Sequence, residues 1–144
     1  MNIRLRLVAA AIFAGLAIGS ASTAWADQVT LSGHYIDTET DSGGQSDKND
    51  WYFTPCGDGC ASVAGTPGGQ AFGQAQLVNG QWTMAITDNA QCADGTNVPN
   101  ANSAHYTWDP QTFAGTVGVT TLLASCGNPV GNTFTDTIQL TQAS

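Results

Sequence analysis

From Val29 onward, apolar residues recur at every second position, and no window shows the three-and-four spacing of a surface helix. Val29, Leu31, Gly33 and Tyr35 share one face of a first strand, with Thr30, Ser32 and His34 on the other. Trp51 and Phe53 share a face in Trp51-Tyr52-Phe53-Thr54, and Ala71 to Val78 follows a Pro67-Gly68-Gly69 turn. Trp82, Met84 and Ile86 alternate with Thr83, Ala85 and Thr87, and Tyr106 and Trp108 alternate with His105 and Thr107. Phe113, Val117 and Val119 alternate with Thr112, Thr116 and Thr120, and Phe134, Ile138 and Leu140 with Thr133, Thr135, Thr137 and Thr141. The β-branched Thr and Val side chains are stiff at χ1 and suit a pleated surface. A chain patterned this way is all-β.

Turn chemistry separates the runs. Asn79-Gly80 tolerates the left-handed angles of a tight hairpin, and Asp109-Pro110 opens a type I turn behind a capping carboxylate. Strands joined so closely are antiparallel neighbours, about seven to eight in all. Each must bury one apolar face, which leaves a single meander barrel or a two-sheet sandwich. Trp51, Trp82 and Trp108 are expected to point inward. Two polar stretches, Thr38–Asp50 and Asp88–Ser103, break the alternation and read as long surface loops, where binding usually resides.

Ahead of this domain, Arg4 and Arg6 precede an apolar run from Leu7 to Gly19, and Ala24-Trp25-Ala26 matches the small-x-small pattern of a signal-peptidase site. The run is shorter than the roughly 20 residues a spanning helix needs. Residues 1–26 are therefore expected to be a cleavable Sec-type signal peptide, and residues 27–144 a single secreted or cell-envelope domain. Cys56, Cys60, Cys92 and Cys126 then read as two disulfides. Three connectivities exist. Two glycines in Cys56-Gly57-Asp58-Gly59-Cys60 favour a tight 56–60 ring, which leaves 92–126 as the longer one.

Export would remove both arginines, so Lys48 stands against eleven acidic residues, a formal charge near −10 for residues 27–144. That field repels phosphate backbones and anionic headgroups, which excludes nucleic-acid binding and docking to a membrane through a basic patch. No stable membrane insertion is expected after the signal is removed.

Three segments resemble a pattern found in small secreted proteins of mycobacteria and related actinobacteria. They are Trp51-Tyr52-Phe53-Thr54-Pro55-Cys56-Gly57-Asp58-Gly59-Cys60, Asn79-Gly80-Gln81-Trp82-Thr83-Met84, and Tyr106-Thr107-Trp108-Asp109-Pro110-Gln111-Thr112-Phe113-Ala114-Gly115-Thr116. With Gly33-x-Tyr35 and Ala124-Ser125-Cys126-Gly127, the resemblance covers most of residues 30–141. It implies export and one all-β domain, and it implies no reaction and no catalytic residue. The Gly-x-Tyr, Gly-x-Trp and Trp-Asp-x-x-Thr features are also similar to those of ligand-binding meander barrels of the avidin-like and lipocalin-like kinds.

Chemistry is sparse. His34 and His105 fall off the apolar parity, and nucleophile-elbow, metalloprotease and phosphate-loop spacings are missing. A small hydrolase ranks behind two other readings. The first is a non-enzymatic module holding an apolar or glycan-like ligand against some of Tyr35, Trp51, Tyr52, Trp82, Tyr106 and Trp108. The second is an extracellular protein-interaction or structural protein that presents its loops. No cofactor is implied. The best metal candidate is a weak structural calcium at Asp37, Glu39 and Asp41, with Asp47 and Asp50 behind and Gly43-Gly44 to turn the chain, and Asp88, Asn89, Asp94 and Asn97 form a weaker one. Against it, Lys48 stands where a calcium loop would end in Glu, and a solvated acidic loop explains the same residues.

Overall fold

The computed structural model describes residues 29–144, so the expected signal peptide lies outside the described residues. Eight strands follow in chain order: β1 (Gly33–Thr40), β2 (Ser46–Gly57), β3 (Cys60–Ala64), β4 (Ala71–Val78), β5 (Gln81–Gln91), β6 (Asn97–Trp108), β7 (Ala114–Thr121) and β8 (Thr133–Gln142). Each pairs antiparallel with the next, and β8 returns to β1 from Tyr35↔Gln142 to Thr40↔Thr137. Of the two architectures that alternation allowed, the closed barrel is the one adopted. Closure leaves no sheet edge open to another chain.

The connections sort to two ends. One end carries the short turns after β2, β4 and β6. Val78 pairs with Gln81, with Asn79 (φ 50°) and Gly80 (φ 79°) at the tip, the left-handed angles expected of an Asn-Gly hairpin. In the turn after β6 the Asp109 carboxylate accepts the Gln111 and Thr112 amides, both at 2.8 Å. These donors hold the Asp109 carboxyl below the usual carboxylate range. The opposite end carries the connections after β1, β3, β5 and β7.

The two stretches expected to be long loops are hairpins instead. Thr38–Asp50 is the end of β1, a five-residue turn at 41–45 and the start of β2, paired from Thr38↔Lys48 to Thr40↔Ser46. Asp88–Ser103 continues β5 into β6, with pairs as far out as Gln91↔Asn97. The ladder needs only backbone groups, so it runs on where the apolar alternation stops. β3 lies where the alternation marks no strand, because its inward residues are only Ala61 and Val63. Val29, expected to start the first strand, precedes β1 and is exposed.

The packed core fills the short-turn end. Tyr35, Phe53, Trp82, Trp108 and Leu140 are buried there, and Leu31 packs with them. Small inward residues at Ala61, Ala75 and Ala104 leave room for the rings, the large-and-small filling a small barrel requires. All four cysteines are paired, as Cys56–Cys60 and Cys92–Cys126. The first closes the β2–β3 turn. The second ties the β5–β6 hairpin to the β7–β8 connection, by chain entropy the stronger constraint at about 4 kcal/mol.

Gly115 sits opposite Trp108 in the β6–β7 register. A Cβ there would overlap the Thr107 carbonyl oxygen and come within 2.7 Å of Trp108 Cα. Gly115→Ala is expected to lower stability by about 2–3 kcal/mol, because backbone rather than a flexible side chain has to move. Gly118→Ala, on the same strand with nothing within 4 Å of its Cβ position, should cost under about 1 kcal/mol. Urea unfolding of the two variants checks the contrast.

Candidate functional site

Beyond the Trp82–Trp108 layer, the barrel opens into a cavity of about 640 Å³. Its walls include Trp51, Phe72, Ile86, Ala104, Tyr106, Val119 and Phe134, and it opens at the end that carries the longer connections. Trp51 meets Tyr106 at 5.2 Å and 75° between ring planes, and Phe72 at 6.0 Å and 64°. The three rings form a corner of near-perpendicular aromatic faces.

Phe72 reaches this corner through an irregularity of the ladder. Val63 pairs with Gly73 and Ala64 with Ala71, so Phe72 is the extra residue of a β-bulge. Bulges re-aim side chains in this way, and Phe72 faces the mouth although strict alternation would direct it outward. Phe134 follows the apolar parity of β8 but lies beyond the packed core, 40% exposed at the cavity wall.

Glu39, Asp50 and Asp88 interrupt the apolar lining, and Asp37 lies buried behind it. Tyr35, Asp37 and Glu39 alternate inward along β1, and Asp37 is 0% exposed. Neither oxygen of Asp37 makes a hydrogen bond of proper geometry. Asn49, opposite it in the β1–β2 register, favours the charged form without meeting hydrogen-bond geometry. Burial dominates and pushes the Asp37 pKa up to about 7. Glu39 lines the cavity and also rises to about 7, through burial first and then the charges of Asp37 and Asp136. Its hydrogen bond with the Asp136 carboxyl adds to the rise. Asp136 is itself raised, mainly by burial. The Tyr106 hydroxyl is held protonated by burial and by Glu39, Asp37, Asp88 and Asp136 around it. Lys48, the one lysine or arginine of residues 29–144, stands exposed at the rim.

Of the six aromatic residues the sequence offers as ligand contacts, Trp51 and Tyr106 line the cavity. Tyr35, Trp82 and Trp108 are packed in the core at the other end. Tyr52 is on the outer surface, stacked on His34 at 4.2 Å. The structure divides the calcium candidates as well. Asp37 and Glu39 face inward, whereas the Asp41 carboxylate caps the 41–45 turn, accepting the Gly43 and Gln45 amides at 2.8 and 2.9 Å. Among the described residues no three His, Cys, Asp or Glu side chains gather as a metal site. Asp47 and Asp50 lie on β2, and Asp50 accepts a 2.7 Å contact from His34. His34 on β1 and His105 on β6 occupy non-adjacent strands. The cavity wall carries no His, Ser or Cys.

No family model, curated protein or solved structure matches the chain. No helix among the described residues is long and apolar enough to cross a membrane.

Proposed function

We propose that this protein is a non-enzymatic binding module of the exported or cell-envelope space that holds a small ligand, with an apolar or ring-faced body, in the open end of the barrel. The observation that carries the reading is the cavity of about 640 Å³ with an aromatic corner at Trp51, Phe72 and Tyr106. Its size falls within the range of about 300–1,000 Å³ typical of small-molecule sites. The basic head, apolar run and Ala24-Trp25-Ala26 boundary support export, as does the resemblance to small secreted actinobacterial proteins. An ordinary barrel core would continue the packing of Trp82 and Trp108 to both ends.

The test uses a neutral fluorescent probe, dansyl pentylamide, added to the exported protein with its disulfides intact. Saturable binding with blue-shifted emission is expected. Ile86→Trp, which adds an indole at the cavity wall, should weaken it by about tenfold or more without lowering the melting temperature. Absence of saturable binding, or binding indifferent to Ile86→Trp, would refute a cavity ligand and leave presentation of the outer loops to another macromolecule as the reading.

A further inference from the structure

We propose that the ligand of this cavity is an organic cation, a protonated amine on an apolar body, whose ammonium group is received by Glu39 at the cavity wall, with the buried Asp37 behind it. The inference rests on the cavity-ligand reading and specifies its chemistry.

Alternation would place an apolar residue at position 37, between Tyr35 and the mouth. The chain has an aspartate there, fully buried, with both oxygens unpartnered. A carboxylate in that state is costly unless a counter-charge arrives, and no side chain supplies one. Lys48 is at the rim, and residues 29–144 contain no other lysine or arginine. The neighbouring acids increase the demand. Glu39 comes from β1, Asp136 from β8 and Asp88 from β5, with Asp47 at the start of β2, and the Tyr106 hydroxyl from β6 stands among them. Apart from Lys48 at the rim, the ionisable groups at this end of the interior are acidic, so a cationic guest offsets their charge as they ionise and a neutral or anionic guest does not.

The walls select among cations. A calcium ion needs six to eight oxygens drawn close around it, and no group of three His, Cys, Asp or Glu side chains that could hold a metal exists among the described residues. An ammonium on an apolar body needs less. One or two carboxylates accept its N–H bonds, and aromatic faces hold its carbon surface. The corner made by Trp51, Phe72 and Tyr106 offers ring faces to the cation and to its body alike. A cavity of about 640 Å³ admits a molecule far larger than a solvated ion.

The experiment compares dansyl cadaverine, which ends in an ammonium, with dansyl pentylamide, which ends in a methyl group. Wild-type protein should bind the ammonium probe at least about tenfold more tightly, the range a charge-assisted hydrogen bond provides. Asp37→Asn and Glu39→Gln should each reduce that preference to about threefold or less, read as the ratio of the two probe affinities in the same variant so that a general change in binding cancels. Two independent variants guard against one that fails to fold. Equal affinities for the two probes in wild-type protein would overturn the cation assignment and leave the cavity reading standing. A preference that survives both substitutions would also overturn it, because the attraction would then come from the net charge of the surface. Failure of both probes to bind would instead overturn the cavity reading itself.

Discussion

Unfolding measured across pH should show the ligand-free barrel losing stability as pH rises from about 4 to about 7, and then levelling. Asp37 and Glu39 have ordinary values of 3.8 and 4.5 and folded values of about 7. Between these limits the folded chain retains protons that the unfolded chain has released. The folded state is therefore favoured fully below the ordinary values and loses that advantage as pH climbs through the folded ones. Burial is the leading cause at both residues, reinforced at Glu39 by Asp37, Asp136 and Asp47. Asp94 and Asp109 act in the opposite sense, since backbone amides hold their carboxyls low, and their contribution fades only below about pH 4. The maximum should thus fall near pH 4–5, at roughly the crossing of the two effects. For Asp37 alone the loss by neutral pH is on the order of 4 kcal/mol, with Glu39 adding less because water reaches it. Asp37→Asn should flatten the profile and raise the melting temperature at about pH 8 by roughly 10 °C. A flat wild-type profile, or an Asn variant less stable than wild type at that pH, would contradict the buried, unpaired state of this carboxyl. A substitution that stabilises the empty protein while removing its selectivity for cations is the behaviour expected of a residue retained for binding.

Legibility followed the apolar side chains. Where Trp, Phe, Val and Ile alternate with Thr, strand and facing could be read directly, as at Trp82-Thr83-Met84 or Thr137 to Leu140. The pattern lost its force at the open end, where the inward positions of the same strands are Asp37, Glu39, Asn49, Asp88 and Asn102. A polar stretch of strand and a polar loop look alike in sequence, because only the backbone distinguishes them. The alternation Tyr35-x-Asp37-x-Glu39 nonetheless held the information. It keeps the period of a strand while exchanging apolar for acidic, the mark of a strand that runs from a core into a polar cavity. Phe72 was beyond reach for another reason: its direction depends on a bulge against β3, a strand whose small residues give almost no pattern. The aromatic residues resisted sorting because core and cavity wall draw on the same side chains. Trp51 and Trp108 differ only in their distance along the barrel axis, which follows from register rather than from residue type.

That axial division sets the largest expected effect of a single substitution. Trp108 is 1% exposed and packs on Trp82 at 6.4 Å, on Trp51 at 6.0 Å and on Phe53 at 6.2 Å. Trp108→Ala should cost about 3–5 kcal/mol, toward the upper figure, because a closed ladder on both sides limits how far the walls can collapse into the void. Trp108→Phe should cost much less, about 1–2 kcal/mol. The smaller ring keeps most of the contacts, and the indole N–H that it removes has no hydrogen-bond partner in the folded protein. Phe72→Ala, at a side chain 42% exposed on the cavity wall, should cost under about 1 kcal/mol and weaken dansyl pentylamide binding instead. Urea unfolding at one pH, with the denaturant slope checked for constancy, orders the three variants. A loss below about 1 kcal/mol for Trp108→Ala, or a Phe72→Ala loss that matches it, would mean that stability does not reside in the short-turn end. The expected order places most stability in the Trp82–Trp108 stack and ligand contact at Phe72, with Trp51, which packs on both Trp108 and Phe72, joining core to cavity.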